Sequence, residues 1–335
     1  MAQHIFQLSN ADRRDIYRTT ASRLGLSAPI IEKDVWVCWA LHAVFDQRDV
    51  LPMAFKGGTS LSKVYSAISR FSEDIDLTIG FGVMPIELPP SRNQRDKLSA
   101  QLRRLTSTHV ADVVRPQFVR RLAMDDVSAS VKLEDPETLC IEYPSDFGRG
   151  DGYIASQVRL EFGGRNRVEP SEVHTIRPYV AELDLSVRVP TAVVGVLSPA
   201  RTFWEKVTLA HAECAANEWR DDADRFSRHW YDLALLADNP IAVLALSDHA
   251  LLRDVVAVKS AFWSRRGVDY EKCLTGECNI VPQGRLRDGL RRDYEKMIRA
   301  GMFSETPPTF DALLQRIQNL EARINAEFTR RPGTD

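Results

Sequence analysis

Hydrophobic positions recur at helical spacing in the first part of the chain. Ser9 or Asn10 can cap a first helix that ends at Gly25, because short polar side chains accept hydrogen bonds from a first helical turn. A second helical pattern covers residues 29–47. Its apolar positions lie four residues apart: Ile31, Val35, Trp39 and Ala43. The pattern therefore predicts two N-terminal helices.

Further along, the spacing changes and predicts short strands separated by helices. The predicted strands are 53–56, 74–79, 129–133, 139–143 and 157–162. In the last strand, apolar residues alternate with Arg159 and Glu161, which indicates one buried and one polar face. A helix is predicted at 59–68. A long polar helix is predicted at 91–121 and is bent or divided at Pro116, because proline interrupts helical hydrogen bonding.

From residue 198 onward the pattern is helical. The predicted helices are 199–217, 224–237, 248–263 and 310–328. The change near residue 195 predicts a mixed domain at 1–195 with N-terminal helices, then a mainly helical domain at 196–335. We expect an α+β protein in which a mixed sheet with helices precedes a helical C-terminal domain.

Composition is that of an ordinary globular protein. The chain has 335 residues, with 44 Lys and Arg against 46 Asp and Glu, and its formal charge is −2. A hydrophobic fraction of 44% excludes collagen-like and disordered classes. No stretch reaches the roughly 18 uncharged apolar residues of a membrane span, and the start lacks a signal-peptide core. We expect a cytoplasmic protein with no membrane partner.

The five cysteines are scattered and form no CxxC motif. Cys273 and Cys278 are five positions apart, but no histidine cluster lies near them in the sequence. We therefore expect reduced thiols rather than a zinc site or disulfides.

An Asp-x-Asp pattern on the second predicted strand is the first candidate for chemistry. Alternate residues share a strand face, so Asp74, Asp76 and Thr78 lie on one face, opposite the apolar positions. Two adjacent carboxylates repel each other unless a cation neutralises them. Mg²⁺ fits because it takes oxygen ligands and is commonly completed by substrate phosphates. A solvated strand edge is the alternative when this motif is taken alone.

Before the Asp-x-Asp pattern, a glycine pair precedes a predicted helix that begins at Thr59. Glycine lets the backbone approach a phosphate, and the start of a helix presents unsatisfied N–H groups. Side chains that can add hydroxyl donors or positive charge follow: Ser60, Ser62, Lys63 and Arg70. We interpret Gly57 and Gly58, with these residues, as a nucleotide-binding segment. An ordinary tight turn is the alternative for the glycines by themselves.

Residues 56–63 and 70–77 together resemble the signature of the AbiEii/AbiGii nucleotidyltransferase-fold toxins. The resemblance implies a polymerase-beta-like mixed sheet and a third metal-binding acid on a neighbouring strand, a position that Glu161 matches. Residues 201–207 and 228–233 are similar to two later motifs of the family. By position, Lys206 and Asp232 become catalytic candidates beside Asp74 and Asp76.

The resemblance further implies a metal-dependent enzyme of an abortive-infection or toxin–antitoxin system, with a cognate antitoxin encoded nearby. Such an enzyme transfers a nucleoside monophosphate from a nucleoside triphosphate to an acceptor. A two-metal site is expected, with Asp74 and Asp76 bridging Mg²⁺ ions and Glu161 on the acceptor side. Mn²⁺ is a possible substitute. Lys206 would neutralise triphosphate charge, and Asp232 would orient Lys206 or the nucleotide.

Two of these residues also have ordinary structural interpretations. Lys206 could be a solvated residue on an amphipathic helix. Asp232 could pair with Arg228, which stands four residues earlier.

Charge is unevenly distributed, which bears on the acceptor. Residues 91–121 contain eight basic and two acidic side chains, whereas 122–151 contain eight acidic and two basic ones. A basic helix would attract RNA, although a solvated face balanced by the acidic segment is an equal alternative. The near-zero net charge therefore does not exclude a nucleic-acid partner.

Three functions follow from the pattern and the resemblance. The first is transfer to RNA, and the family resemblance implies the 3′ end of tRNA, which would block translation. The second is nucleotidylation of a protein Ser, Thr or Tyr. The third is a non-catalytic nucleotide-sensing or interaction module, which the intact pair of Asp74 and Asp76 disfavours. We expect a monomer, because the apolar positions of the C-terminal helix favour packing on the helical domain.

Overall fold

The computed structural model describes residues 3–46, 51–148, 155–183, 186–219 and 225–329. The chain divides into two compact units that are interleaved in sequence. The first unit consists of Met1–Met84, Leu98–Leu197 and Ala300–Glu305, and the second of Pro85–Lys97, Ser198–Arg299 and Thr306–Asp335. Of the described helices, none is both long and apolar enough to cross a lipid bilayer.

The first unit is built on a mixed seven-stranded sheet, which agrees with the expected α+β class. Its strands are β1 (Met53–Lys56), β2 (Ile75–Ile79), β3 (Ser130–Asp135), β4 (Thr138–Glu142), β5 (Gln157–Gly163), β6 (Ser171–Ile176) and β7 (Ala192–Leu197). The spatial order is β3-β4-β5-β2-β1-β7-β6. β2 is parallel to β5 and antiparallel to β1, while β1 is parallel to β7.

Five helices accompany this sheet in the sequence. They are α1 (Asn10–Leu24), α2 (Ala28–Phe45), α3 (Gly57–Lys63), α4 (Arg92–His109) and α5 (Arg115–Met124). Ser9 caps α1 through its side chain, and Gly25 ends it in the left-handed conformation. The predicted end of the second helix at Gln47 lies outside the described residues.

A five-residue π-helical segment, Val110–Val114, joins α4 to α5 just before Pro116. Six positions spaced by four residues are buried along this stretch: Leu102, Thr106, Val110, Val114, Phe118 and Leu122. A regular α-helix has 3.6 residues per turn, so a spacing of four drifts around its surface. The wider π turn corrects that drift and keeps the stripe on one side. The bend or division predicted at Pro116 is thus a π-helical segment, through which the helix continues.

The second unit is helical. Its helices are α6 (Pro199–Ala216), α7 (Arg228–Leu236), α8 (Pro240–Ser247), α9 (His249–Phe262), α10 (Gly284–Arg299) and α11 (Phe310–Thr329). α11 buries one apolar face and packs against α7. The predicted helix start at residue 224 lies outside the described residues.

Several predicted boundaries were wrong. The helix expected at 59–68 is α3, which begins at Gly57 and ends at Lys63. The strand expected from Asp74 begins at Ile75. β6 and β7 were not predicted at all, although β7 lies next to the central strand β1.

Candidate active site

Acidic side chains on neighbouring strands form the centre of the site. In the sheet register Asp76 on β2 stands opposite Glu161 on β5, and on its other side opposite Lys56 on β1. Directly paired residues of adjacent strands project to the same face of a sheet. The register therefore places the carboxylates of Asp76 and Glu161 side by side. Glu161 lies on the strand that was predicted from its alternation of apolar and polar residues.

Asp74, the first acid of the Asp-x-Asp motif, lies just outside the strand. It is buried, and its backbone carbonyl accepts a hydrogen bond from the Thr59 hydroxyl at 2.5 Å. Strand alternation alone does not fix this residue, because β2 begins one position later. The contact from Thr59 links the start of α3 to the segment that carries Asp74.

Glycine is required at position 57 because the Asp76 carboxylate approaches the backbone there. Its φ is +81°, and a Cβ at this position would lie 2.1 Å from Oδ2 of Asp76. Both the backbone conformation and the space favour glycine. The space left by the missing side chain is therefore taken by the Asp76 carboxylate, while the backbone N–H groups of α3 remain candidates for phosphate contacts.

Gly58 leaves room for the side chain of an arginine in the same way. A Cβ here would lie 2.4 Å from Nη2 of Arg70 and 2.9 Å from the Ser72 hydroxyl oxygen. Arg70 is buried, and its Nη1 donates to the Phe71 carbonyl at 3.1 Å. The glycine pair thus brings one acid and one arginine against the first turn of α3.

The hydroxyl groups of α3 are engaged locally. Ser60 donates to the Gly57 carbonyl at 2.9 Å, and Ser62 donates to the Thr59 carbonyl at 3.2 Å. Either hydroxyl would have to leave its carbonyl to donate to a phosphate. Their predicted nucleotide contacts stay predictions.

Lys63 lies in a buried ion pair. Its Nζ is 2.7 Å from Oδ1 of Asp34 on α2 and 3.9 Å from the centre of the Tyr179 ring. Burial acts to lower the pKa of Lys63, but the Asp34 carboxylate, together with Cys38 and Tyr179, outweighs that effect and raises the pKa above its ordinary value. Lys63 therefore stays charged and ties α3 to α2, whereas its contact with phosphate remains a prediction.

The residue before Asp34 makes a second buried ion pair. Lys33 contacts the Glu73 carboxylate, and its Nζ also donates to the Ala155 carbonyl at 3.0 Å. Both charged side chains are about 3% exposed. Because Glu73 directly precedes Asp74, this pair holds the backbone that carries a candidate metal ligand.

Glu32 completes a run of three buried charges on α2. It accepts hydrogen bonds from the Ser145 hydroxyl at 2.5 Å and from the Asp146 N–H at 2.7 Å. Burial raises the pKa of Glu32, although these hydrogen bonds oppose the rise. Sequence reasoning missed the run. Its signal is three successive charges inside an otherwise apolar helical pattern, where charges are buried only when paired.

In the second unit, Lys206 on α6 and Asp232 on α7 form a buried ion pair at 2.9 Å. Asp232 is fully buried and the Lys206 side chain is 8% exposed. His229 Nδ1 lies 3.5 Å from the Lys206 nitrogen. The pairing excludes a solvated Lys206 and satisfies the geometry needed for Asp232 to orient it.

The sequence and the fold were compared with those of known proteins. Residues 39–316, well over half of the chain, match the sequence model of the nucleotidyl transferase AbiEii toxin family of type IV toxin–antitoxin systems. No curated protein matches the sequence. MenT4, a nucleotidyltransferase toxin of Mycobacterium tuberculosis H37Rv, is 16% identical, with a TM-score of 0.46 over 97% of this chain and 91% of that one. An H. pylori protein described as a nucleotidyltransferase is 15% identical, with a TM-score of 0.43 over 89% of this chain and 94% of its own.

Proposed function

Because this chain belongs to the AbiEii family of nucleotidyltransferase toxins in type IV toxin–antitoxin systems, we propose that it transfers a nucleoside monophosphate to RNA. The donor is a nucleoside triphosphate, and the proposed acceptor is the 3′ end of tRNA. The observation that carries the proposal is the register of Asp76 opposite Glu161, beside the glycine that makes room for Asp76.

The acidic group fits a divalent cation. Gly57 leaves a space that the Asp76 carboxylate occupies, and two carboxylates stand in register on parallel strands. We propose that Asp74, Asp76 and Glu161 hold Mg²⁺, with Mn²⁺ as a substitute. When bound, such ions activate the acceptor hydroxyl and neutralise charge on the attacking and leaving oxygens.

The remaining roles are assigned to residues of this chain. In transfer, a bond forms between the acceptor oxygen and the α-phosphorus, and the bond from that phosphorus to pyrophosphate breaks. We propose that the backbone of Gly57 to Ser60 and the Arg70 guanidinium bind the triphosphate. Lys206, held by Asp232 at 2.9 Å, offers a fixed positive charge for the leaving pyrophosphate.

Exposed arginines support an RNA acceptor. Five of them lie along α4 and α5: Arg92, Arg103, Arg104, Arg115 and Arg120. Arg121 is instead tied to Asp125 and Asp46, each at 2.8 Å. Exposed arginines attract phosphates independently of base sequence, which suits binding of a folded RNA.

One incubation tests this function. The protein is mixed with Mg²⁺, each α-labelled nucleoside triphosphate in turn, total tRNA and a cell extract, and RNA and protein fractions are separated. We expect label at the 3′ end of tRNA with the wild type, and none with Asp76→Asn. Label in protein alone would replace RNA with a protein hydroxyl as acceptor. Absence of label in both fractions would contradict transfer.

Family membership also carries the partner proposal. We propose that a cognate antitoxin encoded nearby neutralises this chain, and that the chain itself is a monomer. Co-expression with the neighbouring gene should restore growth of cells that express the toxin. Light scattering of the purified protein should give the mass of one chain.

A further inference from the structure

A cluster of metal-binding side chains lies in the second unit, apart from the residues assigned to transfer. The potential ligand atoms of His211, Cys273 and Cys278 all lie within 4.8 Å of one another. His211 belongs to α6, whereas the two cysteines flank a turn some sixty residues later. All three side chains are at most 3% exposed. We propose that these three residues bind one Zn²⁺ ion that has a structural role.

The geometry of the two sulfurs suits zinc. The Sγ atoms of Cys273 and Cys278 are 3.7 Å apart. Two thiolates on a tetrahedral zinc, with Zn–S bonds of about 2.3 Å, are separated by about 3.8 Å. The Cys-x4-Cys spacing also falls within the range of structural zinc sites. A hydrogen bond between two thiols gives a similar distance. The third ligand is therefore needed to distinguish a zinc site from a pair of hydrogen-bonded thiols.

His211 has the tautomer of a ligand. Its Nε2 lies 2.9 Å from the Asp269 carbonyl, which can only accept, so Nε2 carries the proton. Nδ1 then carries the lone pair, which accepts from the Asn279 N–H at 3.0 Å. A backbone carbonyl on the non-ligating nitrogen is the usual partner of a zinc-bound histidine. The ion would replace the Asn279 N–H at Nδ1.

The turn that carries the cysteines is held in place from α11. Asn325 accepts from the Cys278 N–H at 2.8 Å and donates to the Cys278 carbonyl at 2.9 Å. Gly276, at φ +78°, has no room for a Cβ, which would lie 2.1 Å from the Thr329 hydroxyl. The ligands are thus preorganised, as a structural site requires.

These three side chains leave the fourth position of a tetrahedral ion to a water molecule or to another side chain. α6 also carries a buried thiol, Cys214, one turn beyond His211. Zinc binding would deprotonate the two ligating thiols and release two protons. Because α6 also carries Lys206, the ion would join the helix of a candidate catalytic lysine to the Cys273 turn.

The test begins with untagged protein purified without added metal. We expect about one zinc per chain by mass spectrometry of metals. Cys273→Ser and Cys278→Ser should each lose it, whereas Cys140→Ser, which changes a buried thiol of the first unit, should retain it. A wild type without zinc that also takes up none at micromolar concentration would overturn the proposal. Equal loss in Cys140→Ser would overturn it as well.

A second measurement guards against misfolded variants. Co²⁺ added to chelator-treated wild type should give the absorption of a tetrahedral site with a thiolate charge-transfer band. The chelator TPEN, which spares Mg²⁺, should lower the melting temperature of the wild type but not that of Cys273→Ser. An octahedral Co²⁺ spectrum would exclude the site. These readouts do not depend on transfer activity, so they separate this proposal from the proposed function.

Discussion

Asp76 and Glu161, 85 positions apart in the sequence, face each other across two parallel strands. The pairing makes Glu161 the acid that the sheet itself brings to the Asp-x-Asp motif. On the same strand, Arg159 approaches Glu161 at 3.6 Å and Glu134 at 2.8 Å. The Glu161 side chain is 44% exposed and lies beside the Arg159 guanidinium, and we propose it as the third metal ligand.

Glu161→Gln should raise the metal concentration needed for half-maximal transfer by tenfold or more, because removing a charged ligand weakens a divalent site by roughly that factor. The measurement is transfer rate against Mg²⁺ and Mn²⁺ concentration. Glu134→Gln is the matched control, since it removes the other carboxylate near Arg159. Equal metal dependence in both variants would remove Glu161 from the site.

Gly57→Ala should abolish transfer, because the new methyl group would occupy the position of an Asp76 carboxylate oxygen. The control is Gly82→Ala. Gly82 also has a positive φ, +72°, but its missing Cβ would meet nothing within 4 Å. Both substitutions should cost about 1 kcal/mol of stability from backbone strain. Similar activity in the two variants would show that Gly57 acts only through its backbone conformation.

Lys33→Met should destabilise the fold by about 3–5 kcal/mol, because it leaves the buried Glu73 carboxylate without its ammonium partner. Lys132→Met breaks an exposed pair with Glu142 and should cost under about 1 kcal/mol. Denaturant unfolding of the two variants provides the comparison.

The double variant Lys33→Met/Glu73→Leu separates stability from positioning. It should recover much of the lost stability, yet transfer should stay reduced because the segment before Asp74 has lost its link to α2. Full activity in the double variant would contradict the positioning role.

Local pattern was enough to predict the strand that carries Glu161. Val158, Leu160 and Phe162 are buried, and the residues between them are partly exposed, as alternation requires. The Asp-x-Asp motif was likewise visible in the sequence. Both predictions depend on residues that lie within a few positions of each other in the sequence, which is the range over which periodicity is informative.

Features that depend on distant partners were not predictable. The three charges on α2 find their partners at Glu73, Lys63 and the segment at 145–146, and no local pattern specifies these pairings. The same holds for His211, whose neighbours Cys273 and Cys278 lie far along the chain. β7 was missed because its apolar run contains Gly195 and precedes a helix, so its strand character depends on pairing with β1 and β6.

Because of His109, the free energy of unfolding should decrease in mild acid. Burial lowers its pKa below the ordinary 6.5, and within the described residues its buried Nε2 has no hydrogen-bond partner. Below about pH 6.5 the unfolded chain binds a proton that the folded protein resists, so the free energy of unfolding decreases. His109→Gln should lessen this decrease between pH 7 and pH 5. An unchanged slope in denaturant unfolding would contradict the assignment.

Lys206→Met should abolish transfer and also destabilise the second unit, because Asp232 is fully buried beside the lysine. The expected cost is about 3–5 kcal/mol, as for other buried pairs that lose one partner. Lys272→Met serves as the control, since its pair with Glu277 is exposed and should contribute under about 1 kcal/mol.

The double variant Lys206→Met/Asp232→Leu distinguishes catalysis from folding. Replacing both charges with apolar side chains of similar size removes the unpaired buried carboxylate, so much of the lost stability should return. Transfer should nevertheless stay at background, because the positive charge that we propose for the leaving pyrophosphate is gone. Denaturant unfolding and label incorporation are measured on the same preparations. A stable double variant with wild-type transfer would assign Lys206 and Asp232 to the fold alone.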